Sequence, residues 1–515
     1  MKFGCVNQGD LPEKQRAVFI VPPWTRRAVP AGVRASIVAL KRSNVRGAKG
    51  CRKADGGMER TRENQPAPVS AVERPRSTGA TQAGEAGAVE SGRVRPVRER
   101  WAWVEPSVWT DRMLTALENG VKGNVWFSLI DKVYAPANLA AAFEKVSSNQ
   151  GAAGVDQVTT GMFEDRVEAN LMNLSEQLRT DRYRPQAVRR AYIPKPDGTK
   201  RPLGIPTVRD RVVQTALRNV LEPIFEKTFA EHSHGFRPGR GCKDALREVD
   251  RLLKDGYRYV VDVDLKSYFD TIPHGKLMER VRERVADGRV LTLIESFLAQ
   301  GVMEGLDEWK PTAGSPQGAV VSPLLSNIYL NPLDHQMASG GFQMVRYADD
   351  FVIPCRSREE AEAALEEVRR WVAENDLMLH PDKTRIVDTV EDAFEFLGYR
   401  FEQGRKWPRE KSLDKLKDAI RQRTRRTNGQ SLERIIQSVN PVLRGWFGYF
   451  KHSYKTVFPS VDGWVRKRLR SILRKRRDRR GPGRGSDHQR WPNKYFAAHG
   501  LYSLQTARER ICQPA

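Results

Sequence analysis

Apolar positions along this chain recur with two different periods, and the change of period marks its elements. From Trp109 to Tyr134 the spacing is helical, with Thr110 and Asp111 placed to cap a start. The stretch "ANLAAAFEKVSSN" predicts a second helix. Residues 188–206 then read as two strand-like runs around Pro196-Asp197-Gly198, residues that favour a turn. Helical spacing returns over 207–227 and 242–254. In "YRYVVDVDLKSYFDTI", 257–272, Val261 and Val263 alternate with Asp262 and Asp264, the pattern of a buried strand leading into a short turn. Helices are expected near 275–300, and a loop then a helix over 314–334, with Ser322 as N-cap and Pro323 in the first helical position. "FQMVRY" and "DFVIPC" predict a hairpin, 357–376 an amphipathic helix, and "EFLGYRF", 395–401, one closing strand. Beyond 410 the pattern is helical: Leu443, Trp446, Phe447 and Phe450 share one face, and Leu469, Ile472 and Leu473 form a narrow stripe in a strongly cationic segment. The chain shows no internal repeat.

Residues 1–100 lack any apolar period and are rich in Ala, Gly, Pro, Glu and Arg, so they are expected to be a basic, disordered arm. Met58 is a candidate internal start. With 39 % hydrophobic and 29 % charged residues, most of the rest is expected to be globular.

Charge changes the picture more than length does. The formal net charge is +25, which points to a polyanionic partner. It is unevenly spread: residues 1–100 carry net +11, residues 401–515 net +20, and the middle net −6. An acidic centre between basic ends fits a metal-binding core flanked by a nucleic-acid grip. The five cysteines are scattered without a C-x-x-C pair, which excludes a disulfide scaffold or zinc ribbon and makes a reducing compartment the expectation. No run of about 18 apolar residues predicts a membrane span, so a cytoplasmic, membrane-free protein is expected.

The candidate chemistry lies in "MVRYADDFVI". Asp349 and Asp350 are adjacent like charges among strand formers, a placement that gains nothing in stability. Hard carboxylate oxygens with no His or Cys beside them in sequence suit Mg²⁺, which would also neutralise them. The strand ending at Asp264 is the candidate neighbour, although by pattern alone Asp262 competes with it.

At these residues the chain resembles a known family. "YADD" (347–350) is similar to the active-site box of reverse transcriptases, "DLKSYFD" (264–270) to their other metal-binding box, and "GSPQG" (314–318) to the loop beneath the incoming nucleotide. "IPKPDGTKRPLGIPTVRDRVVQ", "HSHGFRPGRGCKDAL", "LMLHPDKT" and "FEFLGYRF" follow the family order. Together they resemble the bacterial reverse transcriptases encoded in group II introns. "NPVLRGWFGYF" (440–450) and the basic helix after it look like that family's maturase-specific thumb.

The resemblance implies an α+β right-hand polymerase, fingers and palm, followed by an α-helical thumb. The expected boundaries are 101–256 for the N-terminal extension and fingers, 257–402 for the palm, 403–482 for the thumb and 483–515 for a basic tail. It implies Asp264, Asp349 and Asp350 as catalytic metal ligands, favours Asp264 over Asp262, and leaves Asp270 to cap a turn. Lys195 and Arg201 would meet the triphosphate, Phe269 would block a ribose 2′-hydroxyl, Gln317 would pack under the nucleotide, and Lys383 would stand near the rear of the palm. RNA contacts are expected from Arg444, Trp446, Tyr449, Arg466, Lys467, Arg468, Arg470, Arg474, Lys475, Arg476 and Arg477. The implied partners are the intron RNA, an RNA template with a DNA primer, target DNA and deoxynucleoside triphosphates. The tail has one cysteine and no H-N-H pattern, so no DNA-cleaving domain is expected. The rivals are an RNA-binding splicing factor with a decayed polymerase, a retron-type or defence reverse transcriptase, and an RNA-dependent RNA polymerase.

Overall fold

A computed structural model describes residues 97–512, apart from 195–197, 199, 306, 480, 482 and 484. Of the expected arm, 1–100, residues 1–96 lie outside the described residues, as does the Lys195 assignment; its last four residues, Val97–Arg100, are not disordered but form a helical turn.

The fold grows around an antiparallel sheet of four strands in the order β6-β7-β3-β8: β3 is Tyr259–Asp264, β6 Val345–Tyr347, β7 Asp350–Cys355 and β8 Arg385–Asp388. Side chains alternate between faces of a strand, and both faces are used. Val261, Val263, Phe351 and Ile353 enter the main core, shared with the helices Ser322–Ser339 and Arg358–Glu374. Val260, Val345, Val352 and Val387 enter a second core under the helix Cys242–Lys254. Burial on both sides explains why "YVVDVD" is apolar at three successive positions.

The fingers hairpin pairs β1, Val188–Pro194, with β2, Lys200–Ile205. It is extended by β4, Val302–Glu304, which runs parallel to β1, and by β5, Asp307–Trp309. The helices Pro136–Ser148, Val167–Arg179 and Val208–Glu226 pack into the same core as the palm. Thr110 caps its helix as expected, by accepting from Met113 N.

Two elements differ from the sequence reading. "EFLGYRF" is two strands, β9 (Phe394–Phe396) and β10 (Tyr399–Glu402), because Leu397 and Gly398 both take positive φ and reverse the chain. Ser322 is the first helical residue and not the cap: its hydroxyl donates to Pro316 O and pairs with Ser315 Oγ at 2.6 Å.

The C-terminal part is helical, with long helices Glu410–Arg423, Leu432–Phe450 and Val457–Lys475 around a separate core. Trp491, Phe496 and Leu504 belong to that core, so the segment expected to be a tail folds back as part of the helical unit. Among the described residues no helix is long and apolar enough to cross a membrane.

Candidate active site

The carboxylates meet through strand register. β3 and β7 pair with Asp264 directly opposite Asp350, and Asp262 opposite Val352. Directly opposed residues share a face, so Asp262, Asp264 and Asp350 continue the face on which Val260 and Val352 are buried. Asp349 sits next to this rung, in the two-residue turn Ala348-Asp349 between β6 and β7. The adjacent pair is thereby split: Asp350 is the last rung of the ladder and Asp349 is the turn.

Their electrostatics show mutual repulsion. Burial, followed by Asp262, Asp349 and Asp264, pushes the Asp350 carboxyl up to about 7. Burial also raises Asp262 to about 6, with Arg385 pulling against it and Asp264 and Glu395 adding to it. Asp349 is raised by burial, while its own backbone N–H and Arg201 work in the opposite sense. Lys383 is not at the rear of the palm: its ammonium stands 3.0 and 3.2 Å from the two oxygens of Asp264. The segment before β8, anchored where Leu379 bridges to Leu265, brings it there.

The donor set is oxygen only, which suits a hard divalent cation. Among the described residues no group of three His, Cys, Asp or Glu is already gathered for an ion. The residues fit Mg²⁺ by chemistry, with the excess negative charge as the physical sign of the fit.

A cavity of about 240 Å³ is lined in part by Phe269, Asp270, Gln317, Arg190, Pro202 and Trp309. The "GSPQG" loop forms its floor. Ser315 N donates to Phe269 O at 2.7 Å, and Gly204 N to Gln317 O at 2.7 Å, so the loop is tied to both palm and fingers. Gly314 has φ of +90° and lies so close that a Cβ would stand 2.8 Å from the Asp270 backbone; only glycine fits. Asp270 is raised by burial and eased by Arg190 and Arg201. Phe269 and Gln317 thus share the cavity, and Arg201 acts electrostatically on both Asp349 and Asp270.

The expected RNA-binding set divides. Trp446 packs between two cores, 4.9 Å ring to ring from Phe450, and Tyr449 donates to Leu397 O at 2.7 Å. Both are half-buried and packed against core residues, because their helix contributes to both cores. Arg470 is 3 % exposed and donates to Trp491 O and Asn493 Oδ1. Arg468 donates to Thr424 O, Arg474 pairs with Asp487 at 2.6 Å, and Arg476 donates to Gln430 O. These arginines serve the fold. Arg444 and Arg477 stack on Tyr502 and Trp491 while remaining exposed. Lys467 and Lys475 are exposed, and Arg466 half-buried.

Sequence reasoning missed the support behind the hairpin. Arg346 is fully buried and ion-paired with Asp334. Ser233 bridges to it in parallel, with two hydrogen bonds: Arg346 N donates to His232 O at 2.9 Å, and His234 N to Arg346 O at 2.8 Å. His232 and His234 both contact Glu248. The available signal was an arginine inside an apolar strand, matched by an aspartate inside the apolar helix 322–339.

Comparison with known proteins places the chain in a family. The family described as "Reverse transcriptase (RNA-dependent DNA polymerase)" matches residues 193–401, and "Group II intron, maturase-specific domain" matches 413–491. Protein YkfC of Escherichia coli is 36 % identical over 342 residues, covering 58 % of this chain and 85 % of that protein. The group II intron-encoded protein LtrA of Lactococcus lactis is 40 % identical over 197 residues, 38 % of this chain and 32 % of LtrA. Among solved structures, a chain of a Cas6-RT-Cas1–Cas2 complex aligns with a TM-score of 0.31 at 25 % identity, over 48 % of this chain and 41 % of that one.

Proposed function

Because the chain belongs to the group II intron-encoded reverse transcriptases and maturases, we propose that it copies RNA into DNA by metal-assisted nucleotidyl transfer at Asp264, Asp349 and Asp350. It is an RNA-directed DNA polymerase joined to a maturase domain, acting in intron mobility and splicing. The observation that carries the catalytic assignment is the single rung that sets Asp264 against Asp350, with Asp349 beside it in the turn.

In the reaction the primer 3′-oxygen attacks the α-phosphorus of a deoxynucleoside triphosphate. The bond from phosphorus to pyrophosphate breaks, and the hydroxyl proton passes to water. Mg²⁺ held by the three carboxylates would lower the pKa of the attacking hydroxyl and take up charge on the leaving group. Phe269, which lines the cavity, would serve as the gate that excludes a ribose 2′-hydroxyl and so favours deoxynucleotides. Arg201, together with Lys195 of the same motif, meets the triphosphate, and Gln317 packs beneath the base. Lys383, already on Asp264, carries positive charge next to the reacting phosphates. The intron RNA, the RNA template with its DNA primer, and target DNA are the partners. Exposed thumb cations, Arg444, Lys467, Lys475 and Arg477 among them, supply phosphate contacts.

Primer extension tests this. Purified protein with an RNA template, DNA primer, deoxynucleotides and Mg²⁺ should extend the primer, and Asp349→Ala and a metal-free reaction should not. A folded wild-type protein that binds RNA but never extends would favour a splicing factor without polymerase activity.

A further inference from the structure

We propose that Arg346, with Asp334 and Asn327, is a positioning assembly that fixes the turn carrying Asp349. The inference rests on the reading of Asp349 as a catalytic carboxylate.

The turn needs holding. Ala348 adopts φ of +62°, a left-handed conformation that an L-residue disfavours. A strained backbone persists only where its surroundings determine it. Here the Arg346 guanidinium does so: Nη1 donates to Ala348 O at 2.8 Å and to Asn327 Oδ1 at 3.0 Å. Nε donates to Asp334 Oδ1 at 2.7 Å and Nη2 to Asp334 Oδ2. Asn327 then spends its amide on Gly235 O at 2.8 Å. Gly235 lies against the turn itself, since a Cβ there would stand 2.2 Å from Ala348 N. The turn is therefore gripped by its carbonyl on one side and pressed by a glycine backbone on the other. Arg346 and Asn327, hydrogen-bonded to each other, connect the two.

Stability alone does not account for this arrangement. A buried ion pair returns little net stabilisation compared with apolar residues of similar volume. What it supplies is direction: a planar fork with several donors fixes the Ala348 carbonyl relative to helix 322–339 in a way that a lysine, with one rotating head, does not. The Asp349 carboxylate is one residue away. A displacement of about 1 Å at a reacting centre costs on the order of a hundredfold in rate.

The test is steady-state and single-turnover primer extension with the full chain. Arg346→Met combined with Asp334→Leu removes both charges and refills their volume. The expected result is a folded protein with unchanged affinity for template–primer, kcat per active site down about a hundredfold, and a higher Mg²⁺ concentration for half-maximal rate. Asn327→Leu, which leaves the ion pair in place, should lower kcat about tenfold, and it carries the test if the double variant does not fold. Arg346→Lys should not restore the rate. A purely structural role would lower the melting temperature and the active fraction, but not kcat per active site or the Mg²⁺ half-point; that result overturns the proposal. Asp349→Ala runs alongside. If it is inactive while a folded double variant, or Asn327→Leu, turns over like wild type, the positioning role alone fails. If Asp349→Ala itself extends normally, the catalytic reading fails with it.

Discussion

The palm and the thumb hold charge in opposite ways. In the palm, Asp262, Asp264, Asp349 and Asp350 crowd the end of the β3–β7 pair and the turn beside it, and burial with mutual repulsion pushes Asp350 up to about 7. Lys383 offsets only part of this, at Asp264. In the thumb, half of a run of cations that reads as a nucleic-acid surface is consumed by the chain: Arg468, Arg470 and Arg476 donate to backbone carbonyls, and Arg474 pairs with Asp487. Charge density along a sequence therefore does not identify a binding face. Charge that the fold gathers and leaves uncompensated does.

The largest effect expected from breaking this contrast is at the acidic end. Asp264→Ala or Asp349→Ala should reduce primer extension about 10³-fold or more and leave binding of intron RNA and assisted splicing intact. Loss of splicing in a folded Asp349→Ala protein would contradict the separation of palm from thumb.

Next is Arg470→Met, which strands Trp491 O and Asn493 Oδ1 and should cost about 2 kcal/mol in urea unfolding. Lys467→Ala with Lys475→Ala should leave stability unchanged and weaken RNA binding, the salt slope falling by about one for each phosphate no longer neutralised. If Lys467 and Lys475 proved destabilising and Arg470 neutral, the division of the thumb cations would be reversed.

The smallest effect is at the clamp behind the hairpin. Burial acts to raise Glu248, but the hydrogen bonds from His232 and His234 outweigh it and hold its carboxyl at about 2. His232 is raised above its usual 6.5, chiefly by Glu248. Glu248's contribution is present above pH 4.5 and is lost as pH falls toward about 2. That of His232 is complete below pH 6.5 and is lost as pH rises through its raised value. Glu248→Gln should flatten both limbs of the stability–pH curve.

Strand and helix periods in the sequence located the palm hairpin, the fingers hairpin and most helices, because each presents an apolar face at its own spacing. The carboxylate rung was legible for a similar reason: Asp262 and Asp264 stand at alternate positions, and the resemblance of "DLKSYFD" to a family box favoured Asp264. What periodicity could not reveal was pairing at a distance. Arg346 finds Asp334 from another helix, Gly235 finds the turn from another loop, and Lys383 reaches Asp264 across 119 residues. The same blindness made Trp446 and Arg470 look like surface. Only tertiary packing decides whether an aromatic or an arginine on a helix faces water.

The small core beneath the palm has a consequence for exchange between relatives. Tyr399 and Phe401 lie within the segment matched by the polymerase family, and Phe450 within that matched by the maturase family. Yet the rings of Tyr399 and Phe450 stand 5.0 Å apart, and the Tyr399 hydroxyl donates to Tyr449 O at 2.7 Å. A crossover in the intervening stretch would leave each half facing a foreign surface. The heritable module is thus not the polymerase or the maturase but the pair, and chimaeras that keep β9, β10 and the helix 432–450 from one parent are those that should remain intact.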